Sequence, residues 1–165
     1  MNTWDMKPAD VLKNKELSEL IAVLGLDIND PNSVDNMTYN TISTLTDADH
    51  DGIGHISPLL VGFFYKFWPR LLYEHRVRIT RTPIMISSKD NETEWFYKYE
   101  DAAEFKSNNK GWKHRYIKGL GSLTEEEYDR IINDPVYDVV TVDDDKFFHI
   151  MFGNNVQARK DFMFQ

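Results

Sequence analysis

Three carboxylates spaced two residues apart, Asp47, Asp49 and Asp51, stand immediately before Gly52 in the run TDADHDGI. In an extended backbone this spacing turns all three to one side, where they repel one another unless a cation lies among them. Oxygen donors from a short loop suit Mg²⁺, which keeps several waters and needs few protein carboxylates. The same D-x-D-x-D-G opening begins a helix-loop-helix calcium site, but that loop requires a bidentate Glu at its twelfth position, where this chain has Pro58. The text leading in also reads as a strand, so the calcium loop is excluded. A plain acidic turn solvated by water is the other reading of the bare triplet, and the strand-loop-helix setting weighs against it. With no cysteine in 165 residues, thiolate zinc sites and disulfides are excluded, and any metal must be held by oxygen or imidazole.

The elements that position these groups are read from periodicity. Pro8 to Leu26 reads as one helix, because Leu17, Leu20, Ile21 and Leu24 fall at i, i+3, i+4 and i+7. Asp27 to Met37, rich in Asp, Asn, Pro and Ser, reads as a mobile loop. Tyr39 to Thr46 suits a strand that runs into the acidic loop. Beyond Gly52 the positions Ile53, Ile56, Leu60, Phe63, Phe64 and Phe67 have helical spacing, with Pro58 tolerable only in a first turn and Pro69 expected to break the helix. Arg76 to Thr80, Ile84 to Ser88 and Glu94 to Lys98 read as short strands, the last two separated by the turn-like Lys89-Asp90-Asn91. A short helix near Tyr99 to Lys106 and a strand near His114 to Ile117 follow. After the glycine turn KGLGS, Ser122 and Glu125 have the form of a capping box opening a helix to about Asn133. Val136 to Val142 reads as a strand, and the chain from Lys146 onward as helical. Strands alternating with helices predict a mostly parallel sheet with helices on its faces.

Composition sets the class. Charged residues at 28% and hydrophobic residues at 41% are ordinary for a globular domain, so one folded core is expected rather than disorder. A net charge of -8, from 27 acidic against 19 basic residues, argues against a stand-alone binder of the DNA backbone. No basic stretch followed by an apolar run opens the sequence, and its longest apolar stretch, LLVGFFYKFW, is too short and interrupted to span a bilayer. A soluble cytoplasmic protein with no membrane partner is expected.

The stretch TLTDADHDGIGHISPLLVGFFYKFWPRLL is similar to the TOPRIM segment of type II DNA topoisomerases. In order along the chain, Arg81 to Pro83 (RTP), Arg115 to Ser122 (RYIKGLGS) and the run MFGNNVQARKDF resemble further motifs of that family. The resemblance implies Mg²⁺ at a DNA cleavage site. Asp47 resembles the first catalytic-metal carboxylate, and Asp49 and Asp51 resemble the ligands that complete it. His50 and His55 match the motif without a ligand role, and packing or a hydrogen bond to the acidic loop is the plainer reading of both. Lys118 resembles the basic residue near the cleaved DNA, where Gly119 and Gly121 allow the backbone to turn closely; a helix-entry turn is the plain alternative for that motif. The implied fold is α/β, with a TOPRIM-like, mostly parallel sheet flanked by helices. Residues 1–37 would form an N-terminal helical segment and loop, and residues 38–165 a partial TOPRIM domain with C-terminal helices.

Departures from the family pattern shape the rest of the expectation. The family's TOPRIM fold opens with a strand carrying an acidic residue in an E-G-x-S-A type motif, and nothing like it precedes Asn2. The chain is therefore expected to begin partway through the domain, lacking the first strand and its acidic residue. An ATP-binding segment and the winged-helix Arg-Tyr pair are also missing, so no nucleophile is assigned to this chain. A split enzyme of the T-even phage kind predicts these absences. Its partners would be a large ATPase subunit that binds ATP and supplies the missing strand, a subunit bearing the catalytic tyrosine, and double-stranded DNA, in the host cytoplasm if the chain is phage-encoded. The incomplete sheet would leave an exposed edge for the partner. Two other functions are weighed: a stand-alone TOPRIM nuclease or primase fragment, which would need its own acidic first strand, and a noncatalytic acidic module that mimics DNA.

Overall fold

A computed structural model describes residues 1–49 and 51–163 of the chain, so His50 lies outside the described residues. In chain order its elements are α1 (Pro8–Val11), α2 (Lys15–Leu24), β1 (Ile42–Leu45), α3 (Ser57–Phe67), α4 (Arg70–Tyr73), β2 (Val77–Thr80) and β3 (Met85–Lys89). Then follow β4 (Glu92–Phe96), α5 (Tyr99–Asn108), β5 (Lys113–Tyr116), α6 (Glu125–Asn133), β6 (Tyr137–Val139), α7 (Asp145–Phe152) and α8 (Val156–Met163). The strands form two three-stranded sheets, β1-β2-β6 and β4-β3-β5. The chain divides into two compact units, one of Met1–Ile42, Pro58–Arg78 and Val139–Gln165, the other of Ser43–Ser57 and Ile79–Asp138.

In the first unit the single helix expected from Pro8 to Leu26 is two helices. Asn14 causes the break: its side chain accepts the Leu17 N–H at 2.9 Å and caps a new helix instead of continuing the old one. Gly25, at φ 71°, ends α2 in the left-handed conformation. Ile21 and Leu24 of the apolar stripe are buried, and Leu17 and Leu20 are half-buried. The segment expected to be a mobile loop is instead fastened. Pro31–Asn36 forms a 3-10 turn, and the indole N–H of fully buried Trp68 donates to Asp27 O and Ser33 Oγ, both at 3.0 Å. Burying an indole is tolerable when its donor finds such partners. Phe63, Phe64 and Phe67 surround that ring with centroids 5.6, 6.5 and 5.8 Å away.

The N-terminal segment is tied to α3 by the Lys66 ammonium, which donates to Thr3 O at 2.8 Å and Met6 O at 2.6 Å. Trp4 stacks on Tyr65 and Phe152, and Tyr65 lies 3.8 Å from Phe148 of α7. Tyr73 and Tyr65 both donate to Asp145 Oδ1, which holds that carboxylate below its usual range. Burial, and then the bond to Asp145, pushes the Tyr65 hydroxyl up. Gly62 is what lets α7 approach α3: a Cβ there would meet three Phe152 ring atoms at 2.9 to 3.0 Å. Because that ring is buried and stacked, it has little room to give way. Gly62→Ala is expected to cost about 1–3 kcal/mol, as overpacked cores do, and a lowered melting temperature is the readout.

The second unit is built on the β4-β3-β5 sheet, which is antiparallel throughout, unlike the mostly parallel sheet expected. The reason is local. Only Asp90 and Asn91 separate β3 from β4, with Asp90 at φ 52°, and so short a connection can only return the chain antiparallel. Ile84, Met85 and Ala102 are buried together, with Ala48 and Phe96 against them. Phe105 of α5 packs on Phe96 at 4.8 Å and edge-on to Trp112 at 5.1 Å. The helix after KGLGS is capped two residues later than expected. Thr124 and Glu127 make the reciprocal box, whereas Ser122 ends a separate 3-10 turn over Leu120–Ser122 and its hydroxyl donates back to Gly119 O at 2.7 Å.

Candidate metal centre

The acidic loop leaves the end of β1 and is pinned at three places within the second unit. Thr82 Oγ1, almost fully buried, donates to Thr46 O at 2.6 Å. Asp49 Oδ1 accepts the Gly52 N–H at 2.7 Å, closing the loop on itself. Asp47 Oδ1 accepts the Leu120 N–H at 2.7 Å, which brings its carboxylate onto the KGLGS turn. Gly119 is needed for that approach, since a Cβ there would lie 3.0 Å from Asp47 Oδ2. Gly52 is held more tightly still: its Cβ would fall 2.1 Å from Asp47 O.

After Asp51 the chain enters a wide turn over Gly52–Ile56, closed by the Ser57 N–H on Gly52 O, five residues back. Pro58 follows directly and has no N–H to offer the ordinary helical bond, which favours this widened first turn. From Ser57 the regular helix α3 begins, so Pro58 does lie in a first turn, and Pro69 separates α3 from α4 as expected. Ile53 and Ile56, predicted on the helix's buried stripe, are 46% and 49% exposed because the widened turn rotates them off that stripe.

The sequence-predicted residues are therefore only partly gathered. Asp47, Gly119 and Leu120 come together, and Asp47 is half-buried, while Asp49 and Asp51 are exposed. Among the described residues no three Asp, Glu or His side chains converge closely enough to hold a metal ion. One cause is that alternation by two applies only to extended backbone. Asp51 already has helical angles, φ -75° and ψ -42°, so it leaves the face shared by its neighbours. Lys118 and Gly121 are exposed turn positions with no hydrogen bond to the acidic loop among the described residues, and His55 is exposed. Residue types alone did not identify Thr82, Gly52 and Leu120 as the pins of the loop. The RTP tripeptide and the DG dipeptide are the available signal for the first two; a backbone N–H such as that of Leu120 gives none.

The chain is thus an α/β protein whose acidic strand end is clamped to a glycine turn, and comparison with known proteins places it. No family model matches the chain. It is 43% identical over 135 residues to the DNA topoisomerase small subunit of Enterobacteria phage T4, covering 79% of this chain and 82% of that protein. It is 34% identical over 140 residues to DNA topoisomerase 2 of Plasmodium falciparum, covering 81% of this chain but 10% of that enzyme. A crystal structure of the Plasmodium falciparum topoisomerase II DNA-binding, cleavage and re-ligation domain matches with a TM-score of 0.82 at 28% identity, over 99% of this chain and 24% of that one. The chain belongs to the type II DNA topoisomerase family. Among the described residues no helix is long and apolar enough to cross a membrane.

Proposed function

We propose that this chain is the subunit that brings the Mg²⁺-binding acidic loop to a heteromeric, ATP-dependent type II DNA topoisomerase. The observation that carries the reading is the Asp47 carboxylate, held by the Leu120 N–H against the KGLGS turn, with no hydrogen bond to Oδ2 among the described residues. The donor set suits the ion: the loop offers only hard oxygens, and a cation that keeps most of its waters needs only one or two carboxylates. Asp47 and Asp49 would hold it, and Asp51, at the entrance to the wide turn, is the third carboxylate of this reading. When bound there, the ion supplies stabilisation of charge on the scissile phosphate or its leaving 3′ oxygen.

The chain's own groups do the positioning. The Leu120 amide fixes the rotamer of Asp47, and the absence of a side chain at Gly119 lets the turn press against it. Lys118, one residue earlier and exposed, meets the DNA phosphates. The domain is the TOPRIM type completed from outside. β1 is the end strand of its sheet and offers an edge for a strand carrying the missing acid from the ATPase subunit, while a third polypeptide supplies the attacking tyrosine.

The chain incubated alone with Mg²⁺ and supercoiled DNA should leave the DNA intact. Adding the ATPase and tyrosine subunits should produce protein-linked double-strand breaks on denaturant quench, and EDTA should suppress them. Nicking by the isolated chain would support the nuclease reading instead, and equal cleavage by the partners without this chain would reduce it to an accessory module.

A further inference from the structure

Although the chain is acidic overall, its charge is segregated. Between Phe105 and Thr124 stand Lys106, Lys110, Lys113, Arg115 and Lys118, and all 27 acidic residues lie outside that stretch. The structure folds this run along the end of α5 and the edge strand β5, which leads into Lys118 and the turn against Asp47. Arg115 is partly spent, bonded to Glu127 and to Ser122 O. Lys106, Lys110, Lys113 and Lys118 are all exposed, and among the described residues none of them has an acidic partner. Lys106 lies over the exposed Tyr116 ring, 5.3 Å from its centroid, which joins the helix end to the strand. The Ile117 N–H still bonds to Ile84 O at 2.9 Å, so the backbone stays extended up to the glycine turn.

We infer that Lys106, Lys110 and Lys113 extend the candidate site into a phosphate-tracking strip that grips duplex DNA beside the cleavage point. This rests on the proposed topoisomerase role. An extended run from Lys113 to Lys118 spans on the order of 15 Å, comparable with four or five base-pair steps at about 3.4 Å each. The strip ends at the one carboxylate pinned by the turn, so a strand lying along it is delivered to Asp47. Uncompensated lysines next to a carboxylate loop suit a polyanion better than a folded protein surface, which would have to bury them. The acidic remainder of the chain repels DNA elsewhere and confines it to this edge.

The test uses the full complex with partner subunits, in EDTA so that binding is read without cleavage. Duplex affinity is measured against salt for the natural chain, for the K106Q/K110Q double variant, and for K15Q, a surface lysine in α2. Each lost phosphate contact should flatten the log-log salt slope by about 0.9, so the double variant should lose nearly two units, equally on unrelated sequences, while K15Q changes nothing. With Mg²⁺ restored, the double variant should need more DNA for half-maximal cleavage but reach the same maximal rate. An unchanged salt slope overturns the inference. Failure of the double variant to co-elute with its partners also overturns it, because the strip would then be a protein-docking edge. The two readings fail separately: loss of cleavage on changing Asp47 with binding intact tests the metal loop, and the salt slope tests the strip.

Discussion

Changing Asp47 to Asn in the assembled enzyme is expected to lower the rate of DNA cleavage by about 10²–10³-fold, the usual scale for removing one group that stabilises developing charge. The fold should survive. The amide oxygen of Asn can still accept the Leu120 N–H that the Asp47 carboxylate accepts at 2.7 Å, so the turn keeps its anchor while the charge is lost. Asp47→Ala removes both and leaves a part-buried backbone donor unpaired, which adds a stability cost of about 1–3 kcal/mol. The informative comparison is therefore Asn against Ala. Similar cleavage defects with different melting temperatures would assign the chemistry to the charge and the stability to the hydrogen bond. Cleavage at the natural rate by the Asn variant would remove Asp47 from the site.

Gly52→Ala should damage both quantities together. The atoms a Cβ would meet are the Asp47 carbonyl oxygen at 2.1 Å and the Asp47 C and N at 3.0 Å, all backbone, so no side chain can swing aside to relieve them. The loop itself must move, and with it the carboxylate and the Gly52 N–H that Asp49 accepts. A loss of about 3 kcal/mol is expected, at the upper end for overpacking, with cleavage falling as far as for Asp47→Asn. Gly54→Ala, two residues on, is the control. Nothing lies within 4 Å of its Cβ position, and Ala is preferred to Gly in helical backbone by about 0.5–1 kcal/mol. An unaltered melting temperature for Gly52→Ala would show that the close approach is dispensable.

What the sequence reveals about this molecule follows the range of each physical signal. The stripe through Ile21 and Leu24, the stop at Pro69, the α5 helix and the turn at Asp90-Asn91 are local features, and each is found where periodicity or turn chemistry places it. Errors arise where two local solutions compete. Asn14 could lie within one helix or cap a second, and Ser122 and Thr124 both stand three residues before a glutamate; in each case a hydrogen bond absent from the residue pattern decides. The site divides in the same way. Carboxylate spacing singles out Asp47, Asp49 and Asp51, but it presumes extended backbone through all three, and Asp51 has already turned helical. The bond that positions Asp47 comes from a main-chain amide 73 residues away, a donor that any residue except proline would supply.

The bond between Asp47 and Leu120 joins the two halves of the proposed site into one thermodynamic system. Under the proposed function, DNA held on the lysine edge and a cation held by the acidic loop would meet at this one hydrogen bond, so each would bias the other. Linkage makes the exchange reciprocal: the factor by which DNA sharpens divalent-ion affinity must equal the factor by which the ion sharpens DNA affinity.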